Sequence, residues 1–90
     1  MIKVKKITDT QFEVLVAEHR TTTHNVTVKP SYYQKLTGGK VPVETLVEKS
    51  FEFLLEREPN TSILRRFDLT VISRYFPDYE RTIQKRLGTQ

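Results

Sequence analysis

Between Val41 and Glu58 the chain carries a helical pattern whose apolar side is wider than a surface helix needs. At about 100° per residue, Val43, Leu46, Val47, Phe51, Phe53, Leu54 and Leu55 span an arc of about 200°, with the small Ser50 near its middle. A single buried stripe takes about half of that. Pro42 suits the first turn, Glu44 complements the positive end of the helix dipole, and Pro59 closes the far end, so the pattern predicts a helix over 42–58. Such a helix has to be covered on two sides, by a sheet on one and by a later helix or a second subunit on the other. The remaining arc, Glu44, Thr45, Glu48, Lys49, Glu52 and Glu56, is polar and mostly acidic. Ninety residues hold apolar surface for one core. Residues 1–90 are therefore expected to form a single domain.

Upstream of this helix the period changes to two. Residues 2–7 and 12–18 are rich in β-branched and aromatic side chains, and Phe12, Val14 and Val16 alternate with Glu13, Leu15 and Ala17. The polar Thr8-Asp9-Thr10-Gln11 between them has the length and residue types of a hairpin loop. A second polar break at His19 to Thr22 leads into residues 23–29, where His24, Val26 and Val28 point one way and Thr23, Asn25, Thr27 and Lys29 the other. These segments predict a three-stranded antiparallel meander. Pro30 removes a ladder donor and ends the third strand, Ser31 can start a short helix over 31–37, and Gly38-Gly39 terminates it.

Downstream, Asn60 or Thr61 can cap a short helix over 60–67, and Asp68 or Thr70 another over 69–87. Ile72, Phe76, Tyr79, Ile83 and Leu87 keep helical spacing across Pro77, which implies either a kink there or a fresh helix with Pro77 in its first turn. The fold class is thus α+β: a meander covered on one face by the long helix and its C-terminal companions.

Composition removes several function classes. With no cysteine there is no disulfide scaffold, thiolate metal site or thiol nucleophile. No apolar run approaches a membrane span and the start MIKVKKI lacks an apolar signal core, so a cytoplasmic protein without membrane contact is expected. His19 and His24 flank a turn, but two imidazoles fall short of a metal ligand set and read as hydrogen-bonding side chains. Leu36-Thr37-Gly38-Gly39-Lys40 has the glycines and lysine of an anion nest, yet it lacks the earlier glycine and the following Ser or Thr of a phosphate loop, so a helix C-cap is the better reading. No serine sits in a nucleophile elbow, and Asp68 and Asp78 stand where helices begin. No cofactor, metal or catalysis is expected.

Charge is unevenly spread. Residues 1–40 hold seven bases and three acids, 41–58 two and five, and 59–90 six and three. Arg65-Arg66-Phe67 and Arg74-Tyr75-Phe76 interleave cations with aromatics, as single-strand binders do, but Phe67 and Phe76 fall on the apolar spacing and read as core rings beside solvated arginines. Lys3, Lys5 and Lys6 guard the first strand against edge-to-edge pairing, whereas the third has no proline or formal charge before Lys29. The third strands of two chains are therefore expected to pair into a six-stranded sheet, with Thr23, His24, Val26 and Val28 forming the dimer edge.

The run from Thr23 to Glu58, with its alternating strand, short helix, glycine turn and LVEKSFEFLLE spacing, resembles the ribbon-helix-helix family. That resemblance implies a strand paired with its copy in the DNA major groove. Asn25, Thr27 and Lys29 would then face bases, the amides near Val41 to Val43 would meet phosphate, and Lys40 would lie close by. The acidic helix face and the two extra strands depart from the family pattern. SFEFLLEREPNTSILRRFDLTVISRYFP resembles small bacterial proteins of unassigned activity. The expected function is a non-catalytic, homodimeric interaction domain, with a nucleic-acid-binding regulator as the alternative.

Overall fold

A computed structural model of the chain describes residues 1–89. Strands β1 (Ile2–Lys6), β2 (Gln11–Ala17) and β3 (Thr21–Thr27) form the antiparallel meander that the alternation predicted. Helices α1 (Pro30–Thr37) and α2 (Val43–Leu55) follow, then a 3-10 turn at Asn60–Ser62, strand β4 (Arg66–Asp68), and helices α3 (Val71–Tyr75) and α4 (Tyr79–Leu87). The sheet has four strands in the order β1-β2-β3-β4, and β4 runs parallel to β3. The excursion through α1 and α2 supplies the crossover that a parallel neighbour requires.

Register sorts the side chains into two faces. Ile2, Val16 and Thr22 form one inward row, Val4, Val14 and His24 a second, and Phe12, Val26 and Phe67 a third. Helix α2 lies on this face, where Phe51 meets the rings of His24 and Phe67 at 5.3 and 6.0 Å. Its other apolar side turns to α3 and α4, with Phe53 edge-on to Phe76 and Tyr79. The wide apolar arc is thus accounted for within one chain: the sheet covers one flank and later helices the other. Ser50, in the middle of the arc, donates to the Leu46 carbonyl at 2.7 Å and meets the buried Tyr79 hydroxyl at 2.6 Å.

The glycine pair caps α1 as expected, with Gly38 and Gly39 at φ 63° and 76° and the Gly38 amide donating to Gln34. Three boundaries differ from expectation. Helix α2 ends at Leu55, because the next turn tightens, with the Arg57 and Glu58 amides both donating to Leu54, before Pro59. The expected helix over 60–67 is a single 3-10 turn followed by β4, since Arg66-Phe67-Asp68 pairs along β3. The segment 69–87 is two helices. Phe76 leaves the helical region at φ −130° and ψ 90°, and Pro77 precedes the fresh start of α4.

The expected dimer edge is corrected by the same strand. Over Asn25, Val26 and Thr27 the outer side of β3 is occupied by β4, with Asn25 N donating to Arg65 and Leu69 N to Thr27 at 2.8 and 2.9 Å. His24, Val26 and Val28 are buried in the chain's own core, and Thr23 alone of the four expected edge residues is exposed. Over Asn25–Thr27 the rim that lacked a charge guard is covered by the chain's own return, while the stretch from Thr21 to Thr23 has no strand on its outer side.

Candidate functional site

The return of the chain to β3 also shapes a cleft. The end of α2 contributes Leu54 and Glu58, the turn and the stretch after it Ser62, Ile63 and Leu64, β4 Phe67, and α3 Val71, Ile72, Tyr75 and Phe76. It encloses about 350 Å³, the scale of a site for a small ligand or a few side chains. Leu54, Ile63, Phe67 and Ile72 are buried, whereas Leu64 and Tyr75 leave 49% and 67% of their surface in water. Large apolar groups this exposed around an apolar hollow mark a surface that lowers its free energy when covered.

A polar strut holds the cleft in place from behind. Asn60 Nδ2 donates to the Arg20 carbonyl at 2.7 Å and to Thr22 Oγ1 at 2.9 Å. Thr22 Oγ1 lies 2.8 Å from His24 Nε2, and His24 Nδ1 lies 2.7 Å from the Leu64 carbonyl. Since that carbonyl only accepts, Nδ1 carries the proton and Nε2 accepts from Thr22. A neutral imidazole thus satisfies every member, and burial together with the nearby Arg65 pushes its pKa below the ordinary value despite the Leu64 bond. The strut ties the turn and Leu64 to β3. His19, the other histidine, is exposed in the β2–β3 turn and has no part in it.

Glu58 is the one carboxylate in the cleft wall. Burial raises its pKa, and among the described residues it has no ion-pair partner. Its neighbour Arg57 is engaged elsewhere, bonded to Asp78 at 2.9 Å and stacked 3.6 Å from the Phe53 ring centroid. The remaining polar groups of the lining are the Ser62 and Tyr75 hydroxyls. This set can hold an apolar group and accept a hydrogen bond or a positive charge beside it. Among the described residues the lining holds no histidine, lysine or second carboxylate beside Glu58.

Asn25, Thr27 and Lys29 lie, as expected, on the outward side, Asn25 and Lys29 exposed and Thr27 half-buried. The open sheet face carries Lys5, Glu13, Asn25 and Arg66 in one row and Lys3, Leu15 and Thr23 in another. Its phenyl rings, Phe12 and Phe67, point inward. Lys29 pairs with Asp68 at 3.7 Å, Thr27 accepts from Gln11 at 2.9 Å, and Lys40 stands in the turn between α1 and α2. Of the arginine and aromatic pairs, Arg65, Arg66 and Arg74 are exposed and Phe67 is core, but Tyr75 is an open ring. The sequence reading missed the cleft. Its available signal was Leu64 and Tyr75, large side chains off the apolar stripe and next to arginines. Comparison with protein families, with curated proteins and with solved structures found no match.

Proposed function

We propose that the chain is a non-catalytic interaction domain of the cytoplasm whose working surface is the cleft between the end of α2, β4 and α3. The observation that carries this reading is an apolar hollow of about 350 Å³ framed by the exposed Leu64 and Tyr75. An apolar side chain entering it removes that surface from water at about 25 cal/mol per Å², while Glu58 accepts a donor beside it. N-acetyl-tyrosinamide, titrated against the labelled protein by NMR, is expected to shift the amides of Ile63, Val71, Ile72 and Phe76 saturably. Leu64→Asp is expected to weaken that binding about tenfold. Shifts scattered evenly over the surface, or none at millimolar probe, would overturn the reading.

A second reading, nucleic-acid binding through the open sheet face, has one observation in its favour: Lys3, Lys5, Lys29 and Arg66 share that side with Asn25 and Thr27. A major groove about 12 Å wide admits a two-stranded ribbon, whereas β3 lies between two neighbours, so contact would be with backbone phosphates. Fluorescence anisotropy with random duplex then requires affinity that falls steeply with salt and on Lys29→Glu. Salt-insensitive or absent binding removes this reading.

A further inference from the structure

We infer that the occupant of the cleft is the same surface of a second copy of this chain, with Tyr75 of each copy seated against the other's cleft and Arg74 facing Glu58 across a two-fold axis. The inference rests on the reading of the cleft as an interaction site. An isologous interface requires one patch to be complementary to itself, and here a hollow and a projecting ring share one patch, since Tyr75 both borders the cleft and leaves 67% of its surface in water. The charges are complementary in the same sense. Glu58 is a carboxylate without an ion-pair partner in an apolar wall, and Arg74, next to the projecting ring, is exposed and also without one among the described residues. Arg57 is engaged with Asp78, Arg86 with Glu56 and Lys35 with Glu80, whereas Arg65, Arg66, Arg81 and Lys85 share with Arg74 the lack of an ion pair among the described residues, and of these Arg74 is the one beside the projecting ring.

Other routes to self-association are guarded. Strand β1 presents Lys3, Lys5 and Lys6 along its free edge, and β4 is three residues long and begins at Arg66, directly after Arg65. Short, charged edges resist pairing. The open sheet face is largely polar. Met1 and Ile7 are also exposed, but of the exposed large hydrophobics only Leu64 and Tyr75, among the described residues, border this apolar cleft, and a patch of this size implies a weak, concentration-dependent dimer.

Sedimentation equilibrium over roughly 10 μM to 1 mM tests this, a range that covers weak dimers. The wild-type mass is expected to rise from 10.6 kDa toward twice that value. Tyr75→Ala, a change at an exposed site, is expected to weaken association at least about tenfold. Arg74→Glu and Glu58→Arg are each expected to abolish it while keeping the wild-type circular-dichroism melt. Mixing these two variants is expected to restore it, because the introduced charges then meet opposite partners at both two-fold-related contacts. A wild-type monomer throughout, a dimer indifferent to Tyr75→Ala, or a mixture that stays monomeric would overturn the inference. If the monomer still binds N-acetyl-tyrosinamide in the cleft, the interaction reading stands and only the second copy falls. If it binds none, both fall.

Discussion

His24 is the side chain on which the rear of the cleft turns. It sits on the inward row of β3, fully buried, with its two ring nitrogens committed to Thr22 and Leu64. Its presence in an alternating strand was legible, but its role was not. The partner that defines that role is a carbonyl 40 residues away, which no local pattern announces. The depressed pKa makes a signed prediction. Above the ordinary value of 6.5 the ring is neutral in both folded and unfolded chains, and its contribution to stability is complete. As pH falls below 6.5 the unfolded chain takes up a proton that the folded ring resists, so stability is lost toward the lower folded value. Thermal melts from roughly pH 7.5 to roughly pH 5, the range over which imidazoles titrate, are expected to show the melting temperature falling. His24→Gln, less stable at neutral pH, is expected to show a shallower slope. An equal slope in both proteins would exclude His24 as the titrating group.

At the scale of elements, the short β4 decides the architecture. The capping residues of the sequence place Arg66 and Phe67 at the end of a helix over 60–67 and Asp68 at the start of the next. Three residues give no reliable local period, and the open side of β3 supplied the hydrogen-bond partners that settled the segment as strand. Phe67 anchors it, buried against Phe51. Phe67→Ala is expected to cost about 3–5 kcal/mol, the usual range for a buried phenyl group. Hydrogen exchange is expected to speed up most at the Asn25 and Leu69 amides, which bond across the β3–β4 ladder, and less within β1 and β2. Uniform acceleration throughout the sheet would show that β4 does not open as a separate unit. Proline chemistry was more legible. Pro77 had to interrupt the helical spacing, and the structure resolves kink against break in favour of a break.

At the scale of the whole molecule, solubility depends on which surfaces remain unpaired. The net charge of +4 is mild, so protection has to be local, and the lysines of β1 provide it. Lys3→Thr with Lys5→Thr is expected to raise the apparent mass in light scattering well beyond a dimer, through edge-to-edge pairing of β1. An unchanged mass would show that the edge is protected otherwise. Among the described residues no helix is long and apolar enough to cross a membrane. The amino-acid order alone determined the meander, the faces of its strands, the glycine cap of α1 and the need to cover α2 twice, because each is a local steric or periodic property carried by neighbouring residues. Only the tertiary structure decided that β4 would close the rim of β3 over Asn25–Thr27, that Leu64 and Tyr75 would flank one hollow, and that Glu58 would be left there without an ion-pair partner among the described residues. Those outcomes depend on contacts between segments tens of residues apart, whose free energy belongs to the assembled chain and to no single stretch of it.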